Sequence, residues 1–179
     1  MKYKLNQYLL VVFLTIFTTG CVTPSGTSDI WISEGKDLTQ YSAVEVLPVI
    51  DSTGMTHEIN VSALLTQHFK EQFESIGYLH DSKDENSAAV LTFKPDLVGY
   101  GAGSALGRWA APGAGKARCV VRSALIDKQS GQAIGEILTI KEVSAGGLYS
   151  VGAEKYILEA VAADIADKLS TYLRGEEVQ

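Results

Sequence analysis

Cysteine is nearly missing from this chain. Two in 179 residues, Cys21 and Cys119, cannot build a disulfide framework. No cysteine–histidine cluster offers a zinc site, and His57, His68 and His80 do not repeat a metal-ligand spacing, so neither a metal nor a cofactor is expected. Positive charge is short as well. Fifteen Lys and Arg stand against 21 Asp and Glu, a net charge of −6. That disfavours general nucleic-acid binding, where basic groups supply most of the affinity, and gives no broad attraction to anionic lipid. Long apolar runs are missing too. The run "YLLVVFLTIF" is about half of the roughly 20 residues that a bilayer span needs.

That run does have a context. It follows a basic start, Met-Lys-Tyr-Lys, and precedes "TTGC". A basic region, a short apolar stretch and small residues fit a secretory signal over residues 1–20. The "TTGC" end resembles the lipobox of bacterial lipoproteins, with Thr19 and Gly20 as the small residues. The resemblance implies a lipid of the palmitate type on Cys21 and cleavage just before it. Lys2 and Lys4 would leave with the signal, so 13 cationic side chains would face 21 acidic ones, a net charge of −8. Anchoring then falls to the acyl chains, at roughly 0.8 kcal/mol per buried methylene. Val22 stands where enteric lipoproteins kept at the inner membrane carry aspartate, which implies the periplasmic face of the outer membrane. Residues 22–40, "VTPSGTSDIWISEGKDLTQ", are mostly Ser, Thr, Gly and charged. They are expected to be a flexible tether spanning on the order of 24 Å, with Trp31 and Ile32 as its docking residues, if any dock.

A single globular domain is expected over residues 41–175, followed by a short tail at 176–179. "SAVEVLPVI" is β-branched and apolar and ends at "DSTG", which reads as a buried strand. Val61, Leu65, Phe69, Phe73 and Ile76 then recur at helical spacing between an N-cap, Asn60, and a C′ residue, Gly77. "AAVLTFKPDLVGY" reads as a strand in which Pro95, lacking a donor, suggests an edge or a bulge. "KARCVVRSALID" and "QAIGEILTIKEV" read as a hairpin about the turn "DKQSG", with Ala117, Cys119, Val121, Ser123 and Leu125 on one face. Ile157, Val161, Ile165, Leu169 and Tyr172 stripe a last helix closed by Gly175. The order β-α-β-β-β-α predicts a two-layer α+β fold. Four or more mainly antiparallel strands would carry two amphipathic helices on one face.

The loudest segment is "GYGAGSALGRWAAPGAGKARC", Gly99 to Cys119. It is not a phosphate loop. Five residues before Gly115 stands Ala110 rather than glycine, Lys116 is followed by Ala117 rather than Ser or Thr, and a strand follows where a helix is required. The Rossmann glycine spacing fails as well, so no nucleotide is expected. Ser104 lacks the second glycine of a nucleophile elbow. Glu136 and Glu142 read as solvated strand residues rather than a catalytic pair. Three roles fit the composition of the stretch. It is a loop in solvent, or a contact loop for another protein, or a loop touching lipid with Trp109 at headgroup level and Arg108 and Lys116 toward phosphates. Gly103, Arg108, Trp109, Gly113, Gly115 and Lys116 are the candidate contact residues.

Gly103-Ser104, Arg108, the run Pro112-Gly113-Ala114-Gly115-Lys116-Ala117, and Asp127 with Ser130-Gly131 together resemble the bacterial lipoprotein family called domain of unknown function 4410, over roughly residues 42–173. The family is named for having no known activity, so the resemblance supplies no catalytic residues. It implies a shape similar to small periplasmic α/β lipoproteins that assist envelope machines. The expectation is a non-enzymatic, lipid-anchored envelope protein that binds a protein partner or its own copies. The alternative is a small-ligand binder or an enzyme acting on envelope glycan, which a buried pocket with a carboxylate of shifted pKa would favour.

Overall fold

A computed structural model describes residues 24–80, 89–104, 115–143 and 153–176. Among them six strands form one open mixed sheet, and two helices complete a two-layer α+β fold. The order is β1 (Ser25–Ile32), β2 (Ala43–Val46), β3 (Ile50–Asp51), α1 (Val61–Ser75), β4 (Val90–Gly101), β5 (Ala117–Asp127), β6 (Ala133–Val143) and α2 (Ala153–Leu173). Across the sheet the strands run β1-β6-β5-β4-β2, with β3 also beside β4. The pairs β1–β6, β6–β5 and β5–β4 are antiparallel, and only the short β2 and β3 lie parallel to β4.

Both helices cover one face. Asn60 caps α1 by accepting from the Ala63 N–H at 3.0 Å, and Gly77 leaves the helix at φ +78°. Val61, Leu65, Phe69 and Phe73, each four residues after the last, are buried. Phe69 and Phe73 meet Phe93 of β4 at ring-centroid distances of 5.0 and 5.4 Å. Fully burying a side chain of this kind contributes about 1.5–3 kcal/mol. α2 buries Ile157, Val161, Ile165 and Leu169. The sheet answers with the predicted alternation. Ala117, Cys119, Val121, Ser123 and Leu125 are buried, while Arg118 and Arg122 between them are exposed.

Three expectations need correction. Residues 25–32 are not a tether: β1 pairs with β6 from Ser25↔Glu142 to Ile32↔Gly135. The strand expected at "SAVEVLPVI" is broken in two, because Pro48 has no N–H for a ladder. Pro95 is neither on an edge strand nor at a bulge. Pairing to the parallel strands lapses between Phe93 and Asp96, so its missing N–H falls where no donor is needed. The register shift in β4 comes later, between Leu97 and Gly99.

One polar network lies under α2. Lys141 of β6, 9% exposed, places its Nζ 2.9 Å from Asp164 Oδ1 of α2. Ser28 of β1 donates to Asp164 Oδ2. A hydroxyl has one proton to give, so the 2.6 Å contact between Ser28 Oγ and Thr139 Oγ1 has Thr139 as donor. At the other end of the sheet, Asp127 closes the hairpin. Its Oδ1 accepts from Ser130 N–H and Oγ–H, both at 2.6 Å, and Gly131 takes φ +70°. Its Oδ2 accepts from the Tyr41 hydroxyl at 2.8 Å. The Asp-x-x-Ser-Gly motif is therefore turn chemistry.

Two outcomes follow. Burial pushes the Cys119 thiol up to about 12, so a maleimide will leave native protein unmodified at neutral pH and react fully in denaturant. Burial, then the bond to Asp127, pushes Tyr41 up to about 12 from 10. Its contribution is complete below pH 10 and disappears as pH rises through 12. Asp127 is held below the usual carboxylate value, first by the Ser130 hydroxyl and N–H and then by Tyr41. Its contribution is present above about pH 4 and is lost as pH falls through its folded value. Unfolding by denaturant across pH will show both limbs, and Tyr41→Phe will flatten the alkaline one.

Candidate interaction surface

The glycine stretch leaves the sheet through a tight neck. β4 ends at Gly101 and β5 starts at Ala117, and across the gap the Ser104 N–H donates to the Gly115 carbonyl at 2.9 Å. Gly103 has φ +67°, and a Cβ there would lie 2.4 Å from the carbonyl oxygens of Gly115 and Lys116. Only glycine allows both the turn and the approach. Of the candidate contact residues, Gly103, Gly115 and Lys116 are brought together at this neck. Arg108, Trp109 and Gly113 lie outside the described residues. Lys116 leads directly into strand β5.

Lys116 belongs to a second feature, the sheet face turned away from the helices. No described helix or strand packs on it. Register places four rows across this face. Ser25, Glu142, Arg118 and Gly101 form the first, and Thr27, Ile140, Val120 and Gly99 the second. Asp29, Leu138, Arg122 and Asp96 form the third, and Trp31, Glu136, Ala124 and Lys94 the fourth. The middle is apolar, with Val120, Ile140 and Leu138 partly exposed. The surround is charged. Glu142 meets Lys116 and Arg118, each at 3.5 Å, and Glu136 meets Arg122 at 3.6 Å. Exposed pairs at such distances add little stability, typically below about 1 kcal/mol. Both glutamates are thus paired with cations on an open face.

Sequence reasoning missed the contribution of β1 to this face. Trp31 is 52% exposed at its edge. The signal was present in "TSDIWI", where Ile30 and Ile32 alternate with Asp29 and Trp31. The polar residues before it masked a short strand.

Two further polar clusters among the described residues carry catalytic residue types. Asp51 accepts from Thr53 N–H at 2.9 Å and Thr53 Oγ–H at 2.6 Å. His57 Nε2 lies 3.2 Å from Asp51 Oδ2 and 3.1 Å from Thr53 Oγ. Acid, imidazole and hydroxyl invite comparison with a nucleophilic triad, in which the carboxylate and the hydroxyl use different ring nitrogens. Here both use Nε2, and the Thr53 proton already goes to Asp51. The cluster braces a loop, with His57 edge-on to Tyr100 at 5.1 Å. The bonds from Thr53 hold Asp51 below the usual carboxylate value.

The second cluster lines a cleft of about 520 Å³ bounded by Glu45, Val46, Lys70, Glu74, Gly77, Leu79 and His80. Glu45 accepts from Lys128 Nζ at 2.8 Å and Thr92 Oγ at 3.1 Å. The bond from Lys128 holds it below its ordinary value. A carboxylate shifted that way stays ionised and is poorly suited to general acid work. Among the described residues no group of three His, Cys, Asp or Glu converges as a metal site. No described helix is long and apolar enough to cross a membrane.

The chain matches no protein-family model and no curated protein sequence. It does resemble solved structures in shape. A PelC dodecamer from Paraburkholderia phytofirmans matches at 14% identity and TM-score 0.48, over 79% of this chain and 98% of that one. A domain-of-unknown-function 330 protein from Xanthomonas campestris matches at 11% identity and TM-score 0.48, over 82% and 94%. A lipoprotein from Neisseria meningitidis matches at 14% identity and TM-score 0.40, over 70% and 99%. At these values the likeness is one of shape and assigns no activity or assembly. The resemblance to domain of unknown function 4410 gains no support from a family model.

Proposed function

We propose that this is a non-enzymatic bacterial envelope lipoprotein, acylated at Cys21, whose helix-free sheet face binds a protein partner or a second copy of itself. The observation that carries the reading is the composition of that face. An apolar centre of Val120, Leu138 and Ile140 is flanked by Trp31 and bordered by paired charges. Protein interfaces share that anatomy, with an apolar centre, a polar rim, and Trp and Arg enriched. Covering the exposed half of a Trp ring, on the order of 100 Å², contributes about 2.5 kcal/mol. The domain of residues 41–175 gains β1 as an edge strand in this reading, and only residues 22–24 link it to the acylated cysteine. Val22 favours the periplasmic face of the outer membrane by the rule for enteric lipoproteins. Arg108, Trp109 and Gly113 of the glycine stretch stay candidate contact residues on composition alone.

A photo-crosslinking benzophenone amino acid at Val120 tests the reading in intact cells. A discrete adduct, with one partner or with the protein itself, is expected from position 120. The same probe at Lys70, on the exposed side of α1, will give none. Ile140→Arg will remove the adduct while leaving the melting temperature within a few degrees, because position 140 is already partly exposed. Equal crosslinking from both positions, or an adduct indifferent to Ile140→Arg, would defeat the assignment of this face.

A further inference from the structure

β1 starts only four residues after Cys21. Fully extended, Cys21 to Ser25 spans at most about 14 Å. β5, the middle strand of the sheet, covers ten residue steps from Ala117 to Asp127, or about 33 Å. We propose that the end of the sheet holding Ser25 is seated on the bilayer that receives the acyl chains, with the Asp127–Gly131 turn pointing away. The proposal rests on acylation at Cys21 and adds to that reading an orientation and a membrane-contact surface.

Topology assembles that surface. The row Ser25, Glu142, Arg118 and Gly101 crosses the sheet at this end, so the glycine neck and Lys116 lie there. The loop after β3 runs the same way, since Ser52 N–H donates to the Leu97 carbonyl and His57 reaches Tyr100. It carries Met55, 60% exposed. α2 runs away from this end: Asp164 meets Ser28 and Lys141, and Gly175 approaches Thr39 beyond the far end of β1. Its first turns therefore return to the membrane end with Lys155 and Tyr156, the latter 60% exposed.

The chemistry suits a headgroup layer. Met55 and Tyr156 are the two most exposed large apolar side chains among the described residues, and tyrosine favours the bilayer interface. Lys116, Arg118 and Lys155 offer cations to lipid phosphates. With Glu58, Glu142 and Glu154 against them, this end is close to charge balance on a chain of net −8 after processing. It is thus spared the repulsion that the rest of the molecule meets at an anionic surface.

The test uses the full-length acylated protein in vesicles of phosphatidylethanolamine and phosphatidylglycerol. Lys116→Cys, Met55→Cys and Gln129→Cys are each labelled with an environment-sensitive fluorophore, the buried Cys119 remaining silent. Headgroup spin-labelled lipid is then added as quencher, and intact mass reports acylation. Labels at 116 and 55 will lose most of their fluorescence, and the label at 129 will keep nearly all of it. An acylated, vesicle-bound protein quenched equally at all three positions, or at none, overturns the orientation and leaves the lipoprotein reading standing. A mass without acyl groups overturns both.

Discussion

An ammonium group buried beneath a helix has to meet a carboxylate, and for Lys141 that partner is Asp164. Removing one member of such a pair leaves a charge without compensation, which is far costlier than never having buried it. The contact ties α2, whose apolar stripe already faces the sheet, to β6 at the level of Lys141. Asp164 uses its second oxygen to receive Ser28, which in turn receives Thr139. One carboxylate thereby joins α2, β6 and β1. Without it β1 would keep its one ladder to β6 and the packing of Ile30 and Ile32 against the core, but would lose its polar tie to α2.

Much of the proposed function depends on that attachment. With β1 in the sheet the link to Cys21 is a few residues rather than a loose tail, so the proposed acylation there would commit one end of the domain to the membrane. With both helices on one face, the other is left with an apolar centre and charged borders. The polar clusters that might have been read as chemistry are explained by structure. Asp127 builds a turn, Asp51 and Thr53 brace a loop through one ring nitrogen of His57, and Glu45 is held ionised by Lys128. None presents a base facing an activated hydroxyl.

The periodic elements were legible because side chains report burial directly. Val61, Leu65, Phe69 and Phe73 recur every four residues, and Cys119, Val121 and Leu125 alternate, so helix α1 and strand β5 could be read with their inward faces. Caps and turns were legible for the same local reason, as Asn60, Gly77 and Gly131 show. What was hidden depends on partners distant in sequence. Ser28 meets Asp164 across 136 residues, and the alternation of Ile30 and Ile32 is too brief beside Ser, Thr and Gly to announce a strand before its pairing with β6 is known. The candidate site was legible in part. Gly103, Gly115 and Lys116 converge at one neck, but that this neck shares an end with Ser25 needed the register of four strands.

Hydrogen exchange reports whether β1 is held in the sheet and whether Asp164 holds it there. In an antiparallel pair alternate β1 amides donate to β6 and are protected, while their neighbours exchange freely. That protection is expected in the native protein. Asp164→Ala, by removing a charge-assisted anchor worth about 1.5–3 kcal/mol, will speed exchange in β1 by roughly 10- to 100-fold. β5 amides should change less. β1 amides that exchange at unstructured-peptide rates in the native protein, or that ignore Asp164→Ala, would contradict that attachment.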